Sequence, residues 1–112
     1  LSKHVARSQR KLIVAMSSSM GSIGENMSGG AYIYRSSKAA LNAVMRSLSI
    51  DLRSKEISVV LINPGWVRTN MGGRGAILPV DESVSCMRQL IEGLGIKDSG
   101  RFFDYDGASL AW

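Results

Sequence analysis

Two uninterrupted apolar runs constrain this chain more than any other feature. Lys11 to Ser18 (KLIVAMSS) and Ile57 to Asn63 (ISVVLIN) are each of strand length, with apolar residues in continuous succession rather than at alternate positions. Such runs suit strands covered on both faces, as in a parallel sheet. Between them lies a long helical pattern from about Tyr32 to Arg53. There Tyr34, Lys38, Leu41, Met45, Leu48 and Leu52 recur at steps of three and four and share one face. Ala39, Ala40 and Ala43 form a small-residue side against which another helix can pack. Asp81 is placed to cap a further helix running to about Leu94, with Val84, Met87, Ile91 and Leu94 facing inward. Gly93 and Gly95 end it. Arg101 to Tyr105 (RFFDY) reads as a short third strand, followed by a turn at Asp106-Gly107. Residues 1–10 read as the tail of a helix, with cations at its C-terminal end. The order strand–helix–strand–helix–strand predicts an α/β fold with a three-stranded parallel sheet and right-handed crossovers.

The 112 residues suffice for one domain or part of one. With 45% hydrophobic residues the chain is expected to be globular. No apolar run reaches the roughly 18 residues of a membrane span, and no signal-peptide pattern is visible, so no membrane partner is expected. Cys86 has no second cysteine to pair with and no ligands for a zinc site; a packed thiol in a reducing, cytoplasmic setting is expected. The net charge is +5, and six of the nine acids lie from Asp81 onward. The basic residues near the start (Lys3, Arg7, Arg10, Lys11) are separated and carry no interleaved aromatics. They read as a solvated helix end, not as a nucleic-acid surface.

Two irregular loops follow the first two strands, at the carboxyl edge where open α/β sheets bind ligands. Three motifs sit there. Tyr34-Arg35-Ser36-Ser37-Lys38 puts a phenol and an ammonium one helical turn apart. A fixed cation favours phenolate over phenol, which suits proton exchange with an alcohol or carbonyl. Tyr32 has no lysine at that spacing and receives no role. Ser17-Ser18-Ser19-Met20-Gly21 ends the first strand with hydroxyls that can reach the same crevice. Asn63-Pro64-Gly65-Trp66-Val67-Arg68-Thr69 ends the second; the Val67 amide and Thr69 hydroxyl can pair with a planar carboxamide. Each motif alone also has an ordinary structural reading: a surface pair, a Ser-rich turn, a strand-ending turn.

In order and spacing, the three motifs resemble the short-chain dehydrogenase/reductase family, over essentially the whole chain but only the second half of that family's domain. Gly29-Gly30-Ala31-Tyr32, Thr69-x-Met71-Gly72-Gly73 with Glu82-Ser83-Val84, and Phe103-Asp104-Tyr105-Asp106-Gly107 with Trp112 look like its C-factor and sniffer-type carbonyl reductases. The resemblance implies an NAD(P)-dependent oxidoreductase that reduces a carbonyl to an alcohol. Tyr34 would be the acid–base residue. Lys38 would tune it and bind the nicotinamide ribose. Ser18, with Gly21 three residues on, would hold the substrate carbonyl; Ser17 or Ser19 is the alternative register. Pro64, Gly65, Val67 and Thr69, with Tyr34 and Lys38, would contact the cofactor, NADP being slightly favoured over NAD. Met71 to Pro79 would form the substrate loop. The family's tyrosine helix often packs in a dimer interface, so a homo-oligomer through the long helix is expected.

The family's glycine-rich pyrophosphate turn, its NAD/NADP-selecting residue and its upstream relay asparagine have no counterpart in these residues. Gly72-Gly73-Arg74-Gly75 is no substitute, lacking the strand–turn–helix setting. Residues 1–112 are therefore expected to be the catalytic half of such a domain, inactive alone and weak in cofactor binding. The alternative reading is an interaction or dimerisation module without catalysis.

Overall fold

The computed structural model describes all residues except 68–70, 72, 74 and 77. Three parallel strands, β1 (Leu12–Met16), β2 (Ser58–Asn63) and β3 (Phe102–Asp104), form one sheet in the order β1-β2-β3. Leu12 to Met16 pair with Ser58 to Ile62, and Leu61 to Asn63 with Phe102 to Asp104. The predicted α/β sheet is thus present, with each strand a little shorter than its apolar run. The run beginning at Lys11 loses its first residue to a left-handed backbone, φ 48°, and its last two serines to the loop.

Among the described residues, three α-helices accompany the sheet: α1 (Ser2–Arg7), α2 (Tyr32–Asp51) and α3 (Val80–Gly93). β2 is buried at all six positions because it has a strand on each side and packing on its faces. Val59, Val60, Leu61 and Ile62 are completely inaccessible, with Ile57 and Phe102 beside them. Below the sheet, Val5, Ala6, Ile13, Met45 and Leu48 pack on Leu52, Ile57 and Val59, which locks α1 and the end of α2 onto the strands.

Helix α2 follows the predicted stripe with one shift. Leu52 is buried and Lys38, Leu41, Met45 and Leu48 are half-buried, but the deepest side chains are Asn42 and Ser49. Short polar groups lie on the axis of contact because the helix approaches closely here. A Cβ on Gly21 would come within 2.8 Å of the Lys38 backbone. Ala40 and Ala43 face outward.

Helix α3 departs further. Asp81 does not cap it: Pro79 is the N-cap, no side chain caps, and Asp81 and Glu82 instead occupy the first turn, where the helix dipole favours carboxylates. Its inner face is also rotated. Ser83 is buried and donates to the Pro64 carbonyl at 2.6 Å, whereas Val84 is 45% exposed. Leu90 joins Met87, Ile91 and Leu94 on the half-buried side. A polar residue inside an apolar stripe is invisible to a hydrophobic period; a backbone carbonyl needing a donor put it there. Cys86 is half-buried and free.

Candidate active site

Parallel strands expose their last carbonyl and amide groups at one edge, so the loops after β1 and β2 leave side by side. A cavity of about 1020 Å³ opens between them, at the upper end of the ligand-pocket range of roughly 300–1,000 Å³. Ser17, Ser18 and Ser19 from the first loop, Tyr34 from the start of α2, and Pro64, Gly65 and Val67 from the second loop all line it. These residues lie tens of positions apart in the chain, and crossover topology alone brings them together. Thr69 lies outside the described residues.

The serine loop is held tightly. Beyond β1, the Ser17 amide still donates to the Ile62 carbonyl at 2.9 Å, which continues the ladder. Ser17 is buried and its hydroxyl donates to Asn42 Oδ1 at 2.5 Å. Ser18 then caps a 3-10 turn (Ser19–Gly21): its Oγ accepts from the Met20 amide at 3.1 Å and its carbonyl from the Gly21 amide at 2.9 Å. Ser18 is half-buried at the cavity wall. Farther along, the loop is tied to the chain's last residue. Ile23 and Gly24 amides donate to the Trp112 carbonyl at 2.7 and 3.0 Å, and the Ser22 hydroxyl reaches the same oxygen at 3.1 Å. The Trp112 ring stacks at a tilt on Phe102, 5.7 Å between centroids.

Tyr34 is 42% exposed at the cavity rim, while Tyr32 is 83% exposed. Lys38 lies one turn behind Tyr34, with Nζ 5.9 Å from the centre of its ring, and is not part of the cavity wall.

The second loop is shaped by Gly65, at φ 84°. A Cβ there would meet Leu78 Cδ2 at 2.6 Å and Tyr105 Cδ1 at 3.0 Å, so only glycine lets the chain turn under those side chains. Partial burial, then the carboxylates of Asp106, Asp104 and Glu82, push the Tyr105 phenol above its usual pKa. Asn63, at the end of β2, donates to Asp104 Oδ1 at 3.0 Å. The Ser83 hydroxyl fixes Pro64 through its carbonyl. Met20, Trp66, Val67, Met71, Val84 and Met87 give the cavity apolar, adaptable walls. Among the described lining residues none is charged. No group of three or more potential metal ligands occurs among the described residues.

Reasoning from sequence misses three participants: Asn42, Ser83 and the docked Trp112. Asn42 carries a signal, being four residues after Lys38 and eight after Tyr34, and so on their face. Ser83 and Trp112 stand among the residues that carry the resemblance, but nothing local shows the contacts they make, 19 residues away for Ser83 and 90 for the Trp112 carbonyl.

A family model for short chain dehydrogenases matches residues 1–75. The C-signal protein of Myxococcus xanthus is 51% identical over 100 residues, which cover 89% of this chain and 60% of that protein. The carbonyl reductase Sniffer of D. melanogaster superposes with a TM-score of 0.91 at 45% identity, over 100% of this chain and 48% of that one. An NADPH-bound carbonyl reductase from chicken fatty liver superposes with 0.82 at 41%, over 90% and 42%. The chain spans about half the length of the proteins it matches. With the serine turn, the tyrosine–lysine helix and the Pro-Gly loop converging on one cavity, and more than half of the residues matching the family model, the chain belongs to the short-chain dehydrogenase family.

Proposed function

We propose that these residues form the catalytic half of an NADP- or NAD-dependent carbonyl reductase. The observation that carries this reading is the convergence of Ser18, Tyr34 and the Pro64–Val67 loop on one apolar cavity. The NADPH-bound chicken relative supports NADP as the cofactor.

The residues present fit the nicotinamide end of such a cofactor. Gly65 lines the cavity without a side chain of its own, and Pro64 and Val67 line it on either side. Lys38, one turn behind Tyr34, would hold the ribose. When bound, the dinucleotide supplies a hydride to the carbonyl carbon. Ser18 Oγ accepts from the Met20 amide, and none of its described hydrogen bonds uses its proton, which it would donate to the substrate oxygen. Ser17 has already donated its proton to Asn42, which favours Ser18 in the role. Tyr34 would protonate the oxygen as it becomes an alkoxide, and the ammonium of Lys38 would stabilise the phenolate left behind. The substrate would be a small molecule bearing a carbonyl, or an alcohol in the reverse direction, held by apolar walls.

The test is NADPH oxidation by the full protein with an aromatic aldehyde or ketone. Tyr34→Phe is expected to lower kcat by about 10²–10⁴-fold and Ser18→Ala by about 10²–10³-fold. Tyr32→Phe should change little. Absence of turnover by the natural protein, or full turnover by Tyr34→Phe, overturns the reading.

The outer face of α2 supports self-association. Ile33, Val44 and Ile50 are 87%, 63% and 56% exposed, around the outward Ala40 and Ala43. We therefore propose a homo-oligomer formed through α2, a surface that would equally serve a non-catalytic dimerisation module. Sedimentation of Ala40→Arg and Ala43→Arg is expected to show a smaller species than the natural chain; an unchanged mass rejects the α2 interface. None of the described helices is long and apolar enough to cross a membrane.

A further inference from the structure

Asn42 is 3% exposed, yet it satisfies only half of its amide. Oδ1 accepts from Ser17, while Nδ2 is buried without a hydrogen-bond partner among the described residues. Burying an unpaired donor is unfavourable, and a core selected only for stability would place an apolar residue there. Two further observations show the role of the position. The Gly21 turn sits directly on it: a Cβ at Gly21 would lie 3.0 Å from Asn42 Nδ2 and 2.8 Å from the Lys38 backbone. Ser17, its hydrogen-bond partner, immediately precedes Ser18, and the Ser18–Gly21 turn is closed by bonds from the Met20 and Gly21 amides to Ser18. Asn42 is thus the point at which the helix carrying Tyr34 and Lys38 grips the loop carrying Ser18.

We propose that Asn42 is a positioning residue that sets the Ser18 hydroxyl relative to the Tyr34 phenol by holding Ser17. It touches neither substrate nor cofactor. This role rests on the reductase reading. The geometry makes a particular demand: Ser18 and Tyr34 come from different elements, and the short Ser17–Asn42 bond is the side-chain link to α2 that lies next to Ser18, the Ser28–Arg35 bond joining the far end of the loop. Without it the turn can shift on α2 while both elements remain folded, and misplacement by about 1 Å is enough to slow a reaction roughly 10²-fold.

The test uses the full protein with NADPH and an aromatic aldehyde, in parallel with amide exchange. Asn42→Ala and Ser17→Ala are each expected to lower kcat roughly 10–100-fold with little change in KM for NADPH, and the double variant should be no worse than either. In a Ser18→Ala background, Asn42→Ala should cost nothing further, because the group it positions is gone. A structural role alone would give losses that multiply in both backgrounds, and that result overturns the proposal. Amide exchange reads the same link without turnover. Met20 and Gly21 amides should exchange at least about tenfold faster in Asn42→Ala while the Met45–Asp51 amides are unchanged; equal protection in both proteins overturns the proposal. If the natural protein fails to oxidise NADPH, the reductase reading falls. Faster exchange confined to Met20 and Gly21 would still establish the Asn42 grip, so the two failures are distinguishable.

Discussion

Strands β1 and β2 are close in composition and lie side by side in register, yet they live in different surroundings. Val14 and Val60 are direct partners; Val60 is fully buried, whereas Val14 is half-buried and Met16, at the end of its strand, is 46% exposed. The difference comes from place in the sheet. β2 has a strand on each side, and among the described residues β1 pairs with β2 alone. The loops beyond them are nevertheless held by the same two means, close contact and polar ties. The loop after β2 turns under Leu78 and Tyr105 at Gly65 and is tied to Ser83 of α3; that after β1 packs Gly21 on α2 and is tied to Asn42 and Trp112.

The sharpest way to break this comparison is to empty the centre. Leu61→Ala is expected to cost about 2–5 kcal/mol in urea unfolding, since its neighbours in β2 are equally enclosed and cannot collapse into the gap. A cost under about 1 kcal/mol would mean that β2 is not the rigid element. Next, Gly65→Ala should cost about 2–3 kcal/mol, combining positive-φ strain with the clash against Leu78 and Tyr105. Gly30→Ala, at φ 69° with nothing within 4 Å, should cost only the conformational part, about 1 kcal/mol. Equal losses at both glycines would remove the steric account of the second loop.

A matched pair sharpens the strand comparison directly. Val60→Ala is expected to cost about 2 kcal/mol, from two lost methyl groups and the space they leave, and Val14→Ala about 1 kcal/mol. Equal costs would show β1 to be covered as fully as β2 in solution. The smallest effect concerns Tyr105, which borders Gly65. Its raised pKa means that the folded state favours the neutral phenol. The resulting stability is fully present below the unfolded value near 10 and is lost as pH rises through the higher folded value. Tyr105→Phe should therefore flatten the alkaline limb of the stability–pH profile; an unchanged limb would show that Tyr105 does not contribute.

Much of the architecture is legible in the chain because it rests on local pattern. Two continuous apolar runs announce parallel strands, of which β2 is buried as expected and β1 only half-buried, and a stripe at steps of three and four announces the amphipathic helix between them. The Tyr34/Lys38 pair, four residues apart, needs only helical geometry to be placed on one face, and the structure sets the lysine behind the tyrosine ring. The loops that line the cavity can be named from the chain, since strand ends in a parallel sheet share an edge.

Contacts between polar groups far apart in the chain are beyond the reach of pattern. Asp81 has the chemistry of a cap, but Pro79 already has the extended backbone of an N-cap, φ −64° and ψ 147°, so cap and helix start lie two residues earlier than expected. Hydropathy favours Val84 over Ser83 for the inner face because it does not register a carbonyl in need of a donor. Asn42 reads as one more polar residue on a helix, although it holds the serine turn.

By itself the sequence determined the order of strands and helices, the burial of the second apolar run and the pairing of Tyr34 with Lys38, because these arise from side-chain period and backbone sterics within one segment; the first run forms its strand but is only half-buried. Only the tertiary structure decided which serine spends its proton on Asn42, why Gly65 admits no side chain, and where the chain's last residue docks. Those outcomes depend on distances between segments tens of residues apart, which no local period encodes.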